Sequence, residues 1–273
     1  YILASETCSF GIIGAEFVRE VAPGEVVVID KDGLRRAYRS TSAHKPPRLQ
    51  QCIFEGVYFS DPTSLVFGEL GEEACFFRHN LGARLAKEYA ERYGKPDKNM
   101  LVIPVPDSSN HYAEGFSHHV WHPLTFAVTR THRSSRSFIG SDQATRDLKV
   151  RLKFNFSDEL IRGKHCILVD DSLVRGTTIR EVIKMLREHG AASVSVLIGS
   201  PPILHPCRYG IDFKTRNELL ASTMHADTNA MCAFLGADRL VYLSLSGFYE
   251  VVEETFGNTG NFCFACFNGT YAL

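Results

Sequence analysis

The fold is decided by residues 166–178, which read CILVDDSLVRGTT. The apolar run from Cys166 to Val169 predicts a buried strand that leads directly into an acidic pair and a short loop. Apolar residues then recur at helical spacing until Gly190 ends the helix: Ile179, Val182, Ile183 and Leu186. A strand, a loop and a helix in this order are the unit of parallel α/β proteins, which bind ligands at the carboxyl ends of their strands.

Other segments repeat this alternation along the chain. A helix is predicted over 77–93, with Leu81, Leu85 and Tyr89 on one face and Gly94 at its end. Further buried strands are predicted at 100–105, 124–128, 193–198 and 240–245, and a β-hairpin at 24–38. We therefore expect an α/β fold with a parallel sheet flanked by helices, preceded by a small β unit.

Composition excludes few functions by itself. The chain has 273 residues, 44% hydrophobic content and a formal net charge of −1. This balance gives no reason to expect nucleic acid or a membrane surface as a partner. No apolar run of about 18 residues and no signal peptide are found, so we expect a cytoplasmic protein. Because the chain starts at Tyr1, we interpret it as a fragment or a processed chain.

The loop after the acidic pair has the chemistry of a phosphate site. Gly176 allows a tight turn, and the hydroxyls of Ser172, Thr177 and Thr178 can surround a phosphate at the start of a helix. Asp170 and Asp171 are placed to hold two ribose hydroxyls or a magnesium ion. The alternative is a surface turn with a helix cap, the usual meaning of an isolated Asp-Asp. The complete pattern is much rarer, and it favours a ligand site.

Residues 167–178 resemble the signature with which type I phosphoribosyltransferases bind 5-phosphoribosyl-1-pyrophosphate (PRPP). The run Pro104–Ser109 resembles the second ligand loop of that family. Segment 136–146 resembles a mobile loop that closes over PRPP, and residues 200–221 continue the match. Taken together, these stretches resemble the amidophosphoribosyltransferases over essentially the whole chain.

The resemblance implies a reaction and a division into parts. Complete members release ammonia from glutamine in one domain and use it in another to convert PRPP into 5-phosphoribosylamine and pyrophosphate, which begins purine synthesis. Residues 1–38 resemble the last strands of the glutaminase, with Cys8 expected in a core strand and no nucleophile for glutamine. The remaining parts are expected to be a linker (39–60), the phosphoribosyltransferase domain (61–247) and a C-terminal tail (248–273).

The resemblance also implies site residues. Asp170, Asp171 and Arg136 are expected to be catalytic, and Ser108 with the two aspartates is expected to hold Mg²⁺. The residues expected to bind PRPP are Asp107, Ser108, Ser109, Asp170, Asp171, Ser172, Val174, Arg175, Gly176, Thr177 and Thr178. Family members commonly form homo-oligomers, and purine nucleotides are expected as feedback ligands of the same loop.

Two segments depart from the family or are unusual. Residues 131–135 read THRSS where the family usually has an Asn-Arg-Tyr-Val-Gly-like run, which places the roles of those positions in doubt. Residues 118–122 read HHVWH. Histidine clusters without a ligand pattern are mostly solvated, so we interpret these as exposed side chains before a strand rather than a metal site.

Four of the eight cysteines form the second candidate site. Cys263 and Cys266 are a C-x-x-C pair, which alone is compatible with zinc, an iron–sulfur cluster, a redox pair or chance. Many amidophosphoribosyltransferases carry a [4Fe–4S] cluster, and Cys52, Cys207, Cys263 and Cys266 match the contexts of its ligands. The resemblance therefore implies such a cluster, with zinc as the alternative. Cys75, Cys166 and Cys232 are expected in the core.

Three other interpretations remain open. The chain could be a PRPP-binding regulatory module without catalysis, an inactive fragment, or a phosphoribosyltransferase that uses a base as acceptor. No basic helix-turn-helix segment supports a DNA-binding regulator, and the cluster cysteines argue against the base-specific enzymes. Consumption of PRPP with magnesium and ammonium separates catalysis from binding alone.

Overall fold

The structure, a computed structural model, describes residues 1–39, 50–68, 71–131 and 152–271. The strands are β1 (Glu25–Asp30), β2 (Gly33–Arg39), β3 (Gln51–Cys52), β4 (Leu65–Val66), β5 (Glu72–Glu73), β6 (Met100–Pro104), β7 (Val128–Arg130), β8 (Phe154–Phe156), β9 (His165–Asp170), β10 (Ser193–Ile198), β11 (Arg239–Tyr242) and β12 (Phe262–Cys263). The helices are α1 (Cys8–Ile12), α2 (Ala74–Tyr93), α3 (Asn110–Val120), α4 (Asp158–Ile161), α5 (Thr177–Glu188), α6 (Leu220–Thr223), α7 (Thr228–Leu235), α8 (Leu245–Phe256) and α9 (Ala265–Asn268). A π-helical turn (Glu55–Phe59) and a 3-10 turn (Arg216–Glu218) complete the elements. No helix in these ranges is long and apolar enough to cross a bilayer.

A four-stranded parallel sheet organises the chain, in the order β11-β10-β9-β6. Strand β9 is central and is covered on both faces. Ile167 and Val169 face one hydrophobic cluster, whereas Cys166 and Leu168 face the other. Burial on both faces explains why this strand reads as an unbroken apolar run. The predicted parallel sheet with flanking helices is confirmed.

Helices α2 and α3 pack on one face of the sheet at unusually short range. A Cβ atom on Gly115 would lie 1.9 Å from the carbonyl oxygen of His79, and one on Gly82 would lie 2.0 Å from that of Tyr112. Only glycine permits this approach of the two backbones. Helix α2 begins three residues before its predicted start and buries Leu81, Leu85 and Tyr89 as expected.

Two predicted strands differ from the structure. Over 124–128 only Leu124 bridges Val102 in parallel, and the chain then turns into β7, which pairs antiparallel with β8. Strand β11 ends at Tyr242, and Leu245 is the first residue of a helix. Ser244 causes that ending because its hydroxyl accepts the backbone N–H of Gly247 as a helix cap.

The N-terminal segment is docked on the rest of the chain through residues 61–65. The Glu6 carboxylate accepts from the backbone N–H of Asp61 at 2.7 Å and from the Ser64 hydroxyl at 2.9 Å. The predicted hairpin is present as β1 and β2. Cys8, however, was expected in a core strand, and this prediction is wrong: Cys8 begins the short helix α1 and is only half-buried.

We predict that Gly115→Ala destabilises the protein by about 1–3 kcal/mol, the usual cost of forcing an extra methyl group into a packed contact. The methyl group would overlap the His79 carbonyl and push α2 away from α3. The matched control is Gly11→Ala, where a Cβ atom meets nothing within 4 Å. Urea unfolding of both variants measures the difference, and equal midpoints would contradict the prediction.

Candidate active site

A cavity of about 750 Å³ opens at the carboxyl edge of the sheet, where β6 and β9 end. Five parts of the chain meet there. The lining comprises residues 105–108 after β6, residues 170–179 from the end of β9 into α5, residues 130, 153 and 154 of the β7–β8 pair, residues 210–213, and the aromatic side chains of Phe54, Tyr58 and Phe59. The sheet therefore brings the two predicted ligand loops together, although more than 60 residues separate them in sequence.

The loop after β9 is closed by a glycine in the left-handed conformation. Gly176 has φ +75°, and a Cβ atom there would lie 3.0 Å from the side chains of both Leu220 and Leu235. Helix α5 starts at the next residue, so Thr177 and Thr178 expose their first-turn N–H groups and hydroxyls at the cavity. A helix N-terminus with free N–H groups is an anion site, and this one faces the predicted phosphate position.

The acidic pair lies at the bottom of this cavity and is nearly inaccessible. Asp170 is 8% and Asp171 is 3% exposed. Burial raises the pKa of both carboxyls, and the charge of Asp171 raises the pKa of Asp170 further. Two adjacent buried carboxylates are costly unless a cation neutralises them.

Serine hydroxyls organise the two carboxylates. The Ser109 hydroxyl donates to Asp170 Oδ1 at 2.6 Å and lies 3.3 Å from Asp171 Oδ1. Ser172 donates to Asp171 Oδ2 at 2.7 Å, and the nearby Ser108 hydroxyl lowers the pKa of Asp171. Ser109 is fully buried and does not line the cavity, so its hydroxyl orients the acidic pair from behind. Asp107 and Ser108 do line the cavity, as expected for ligand-binding residues.

Arg175 forms an ion pair with another residue of the chain. Its guanidinium donates to Glu218 Oε2 at 2.5 Å and to the Asp212 carbonyl at 3.3 Å. The bond from Arg175 holds the pKa of Glu218 at about 2, well below its usual range. Glu218 also accepts from Thr215, which forms a capping box. Arg175 therefore fastens the phosphate loop to segment 212–218, a role that sequence reasoning missed.

Two basic residues at the cavity rim were also missed. Arg130 lies 3.2 Å from Asp107 Oδ2 through Nη1, and Lys153 lies near it because β7 and β8 pair. They flank the segment that was predicted to be mobile. Arg136 and the rest of 132–151 lie outside the described residues, as does the departure at 132–135.

The four predicted cluster cysteines meet in a second cavity of about 460 Å³. Cys52 lies opposite Cys263 in the register of β3 and β12, while Cys266 lies in α9 and Cys207 follows the sheet. Phe59, Gly210 and Ile211 line this cavity and the first one. The two candidate sites therefore share a wall.

The protein environment shifts the pKa values of these cysteine thiols in different directions. Burial favours a raised pKa at Cys207, but the backbone N–H groups of Tyr209, Gly210 and Ile211 donate to its sulfur at 3.4–3.5 Å and lower the pKa. Cys52 is an exposed residue overall, yet burial of its sulfur raises the pKa of the thiol to about 11. Burial also raises the pKa of Cys266. Among the described residues, no three Cys, His, Asp or Glu side chains are close enough to hold a single metal ion.

The remaining cysteines and histidines lie elsewhere. Cys166 is buried as predicted, whereas Cys75 and Cys232 are only half-buried. His118 lies 3.2 Å from the ring of His79, and His122 bonds to the Met100 carbonyl. These histidines serve as contacts between neighbouring elements.

Comparison with known proteins places this geometry in a family. Residues 78–198 match the family model of the phosphoribosyl transferase domain. The amidophosphoribosyltransferase of Synechococcus elongatus is 40% identical over 273 residues, covering 100% of this chain and 52% of the relative. The enzyme of the same name from Bacillus subtilis is 38% identical and aligns with 99% of this chain and 54% of its own length. The chain thus spans about half the length of these curated relatives.

Two solved structures are similar to this chain over nearly its whole length. The glutamine PRPP amidotransferase of B. subtilis, complexed with ADP and GMP, superposes with a TM-score of 0.82 at 37% identity, covering 98% of this chain and 56% of that one. A structure described as the allosteric regulatory enzyme of purine biosynthesis gives 0.83 at 37% identity, with coverage of 98% and 54%. The fold is therefore the type I phosphoribosyltransferase fold, and the chain belongs to the amidophosphoribosyltransferase family, of which it contains the phosphoribosyl transferase domain.

Proposed function

We propose that this chain transfers the phosphoribosyl group of PRPP to ammonia, which yields 5-phosphoribosylamine and pyrophosphate in the first step of purine synthesis. The observation that carries the proposal is the single cavity in which the phosphate loop 172–178 and the buried acidic pair meet. Family membership supports the same reaction, with glutamine as the source of ammonia in the whole protein.

The loop is proposed to hold the 5-phosphate of PRPP. Its N–H groups and the hydroxyls of Thr177 and Thr178 are donors that match phosphate oxygens, and the start of α5 adds a positive dipole. In this structure the Ser172 hydroxyl donates to Asp171, and it would have to turn from that carboxylate to donate to phosphate. Val174 and Gly176 contribute backbone. Arg175 is proposed to position this loop through Glu218 rather than to bind phosphate in the present arrangement.

The acidic pair is proposed to bind the ribose hydroxyls and Mg²⁺ together with Ser108. The residues fit the ion, because hard oxygen ligands suit magnesium and, within the part of the chain that the structure describes, no cationic side chain forms an ion pair with the two buried carboxylates. When bound, magnesium stabilises the charge of departing pyrophosphate. Ser109 holds the carboxylates in place from behind.

The remaining groups favour transfer over hydrolysis. Ammonia is already a nucleophile, so the barrier lies in the positive charge that develops at C1 as pyrophosphate leaves. Arg136 is proposed to reach the leaving group from segment 132–151, and Arg130 and Lys153 stand at the rim of the same cavity. Closure of that segment would exclude water, which would otherwise hydrolyse PRPP.

The four cysteines Cys52, Cys207, Cys263 and Cys266 are proposed to hold a [4Fe–4S] cluster, with zinc as the alternative. They line one cavity, and three N–H groups directed at Cys207 suit a thiolate ligand. Four thiolates suit zinc and an iron–sulfur cluster equally by ligand type, and the resemblance to the amidophosphoribosyltransferases favours the cluster. The cluster would tie three distant segments together.

The domain boundaries are proposed as read from the sequence: 1–38, 39–60, 61–247 and 248–273. The first unit exposes many apolar side chains, with Tyr1 at 75%, Leu3 at 71% and Ile12 at 88%. Apolar patches of this kind mark surfaces that are normally covered, which supports assigning residues 1–38 to a glutaminase domain. Purine nucleotides are proposed as feedback ligands, since their phosphate suits the same loop.

We predict that the 273-residue chain releases pyrophosphate from PRPP when magnesium and ammonium are present. Removing magnesium abolishes release, because the acidic pair then has no cation through which to hold PRPP. Glutamine in place of ammonium is the matched control and is expected to give no turnover. PRPP binding by calorimetry without consumption would support the regulatory alternative and contradict the proposal.

We predict that Asp170→Asn stabilises the metal-free protein at pH 8 by on the order of 1 kcal/mol while abolishing magnesium-dependent PRPP binding. The pKa of Asp170 is raised on folding, so the folded state holds the extra proton and wild-type stability falls as pH rises above the unfolded value. The asparagine side chain does not titrate, so it adds no such pH dependence to the stability. Its amide oxygen still accepts the hydrogen bond from the Ser109 hydroxyl. Thermal unfolding from pH 4 to 8 tests this, with exposed Asp32→Asn as control; equal pH slopes would refute it.

We predict about four irons and four sulfides per chain after anaerobic purification, against about one zinc for the alternative. Cys263→Ser should lose most of the iron because a cluster ligand is removed. Cys75→Ser is the control, since Cys75 does not line the cavity. Metal analysis and visible absorbance decide the matter, and a folded protein without iron, sulfide or zinc would exclude both cofactors.

A further inference from the structure

Arg78 is a buried cation beside the candidate active site that the proposed function does not use. It lies on α2, is 1% exposed and ranks among the largest fully buried side chains. A buried guanidinium requires compensating partners. Within the described residues it forms no ion pair with a carboxylate, and its hydrogen bonds go to backbone carbonyls.

Those carbonyls belong to one short turn. Arg78 Nε donates to the Gly56 carbonyl at 2.9 Å, and Nη2 donates to the Ser60 carbonyl at 2.7 Å. The Tyr112 hydroxyl, on α3 and fully buried, donates to the Val57 carbonyl at 2.9 Å. Two interior side chains therefore satisfy three carbonyls of segment 54–60.

The backbone bonds at this turn use other carbonyls. It is a single π-helical turn, a form that is rare and frequently found at functional sites. The Val57 N–H donates to the Ile53 carbonyl at 3.2 Å and the Ser60 N–H donates to the Glu55 carbonyl at 3.0 Å, whereas the carbonyls of Gly56, Val57 and Ser60 accept from Arg78 and Tyr112. Its carbonyls would otherwise be unpaired in the interior, so Arg78 and Tyr112 determine where the turn lies.

The same turn supplies the aromatic wall of the cavity, which we define as Phe54, Tyr58 and Phe59. The phosphate loop and the acidic pair are polar, so the aromatic wall is the part of the lining suited to a small neutral acceptor. The charge of Arg78 also acts on Asp171 through the interior. The turn and the acidic pair are thus connected through one residue.

We propose that Arg78 and Tyr112 are positioning residues that hold the aromatic wall against PRPP and so decide between ammonia and water as acceptor. This inference rests on the proposed function. In transfer, the nitrogen lone pair of ammonia bonds to C1, pyrophosphate leaves with the electrons of the C1–O bond, and a proton passes to solvent. In hydrolysis, water makes the C1–O bond instead and yields ribose 5-phosphate. Ammonia and water are similar in size, so exclusion of water depends on where the wall lies.

The test uses Arg78→Lys and Tyr112→Phe in the full chain with its cofactors. Lysine keeps the charge but cannot bridge the two carbonyls, and phenylalanine keeps the ring but frees the Val57 carbonyl. Ribose 5-phosphate and pyrophosphate are measured together with ammonium present. We expect the ammonia-dependent kcat to fall about tenfold or more, the KM for PRPP to stay within about twofold, and the hydrolysed fraction to rise several-fold.

Tyr89→Phe is the matched control, because Tyr89 is buried on α2 and its hydroxyl meets Arg239 rather than the turn. It should leave the hydrolysed fraction unchanged. A folded Arg78→Lys with wild-type partition between the products overturns the inference, as does an equal loss of both reactions. Should Arg78→Lys fail to fold, Tyr112→Phe decides by the same criterion. A wild-type chain that consumes no PRPP with ammonium overturns the proposed function and this inference with it.

Discussion

One constraint governs the candidate site: two adjacent carboxylates are buried at the end of the central strand β9. Asp170 and Asp171 are 8% and 3% exposed, and both pKa values are raised by burial. Such a pair is unfavourable in a metal-free protein, yet the surroundings are arranged to keep it in place. Ser109 orients it, Arg78 contributes a positive charge from the interior, and the start of α5 lies just beyond it. This combination is expected of a ligand-binding site, where stability is often lost to keep functional groups in place.

The residues around the acidic pair are brought there because parallel strands end at the same edge of the sheet. Parallel pairing of β6 with β9 brings Asp107 and Ser108 beside the acidic pair. Residues 210–213 also line the cavity, and segment 207–218 is joined to loop 172–178 through the bond between Arg175 and Glu218. That segment begins at Cys207, and the turn 54–60 follows Cys52 closely. Cys52 and Cys207 therefore each lie close in sequence to residues that line the first cavity.

Because the two cavities share a wall, the proposed cluster would also stabilise the lining of the first cavity. Phe59, Gly210 and Ile211 line both cavities, and Phe54 packs on Phe213 and Phe267 with ring centroids 6.1 Å and 5.7 Å apart. A cofactor that fixes Cys52, Cys207, Cys263 and Cys266 would fix this wall as well. Its role can be structural without any electron transfer, since it joins the linker, the sheet and the C-terminal tail.

The sequence alone determined what depends on local pattern. An apolar run followed by Asp-Asp and a glycine-containing loop located a buried strand and predicts a phosphate site, because each of those residues has a local physical requirement. Helical spacing also located α2 and turn chemistry located the hairpin, whereas the four cysteines that meet in one cavity were identified through the family resemblance. It failed at residues 124–128 and at Leu245, where pairing with β8 and the Ser244 cap outweighed apolar composition. Only the tertiary structure revealed that Ser109 lies behind the carboxylates, that Arg175 is held by Glu218 and that Arg78 supports the turn 54–60. These roles join residues from 18 to 61 positions apart, and nothing in the local sequence specifies which distant carbonyl or carboxylate a buried side chain will meet.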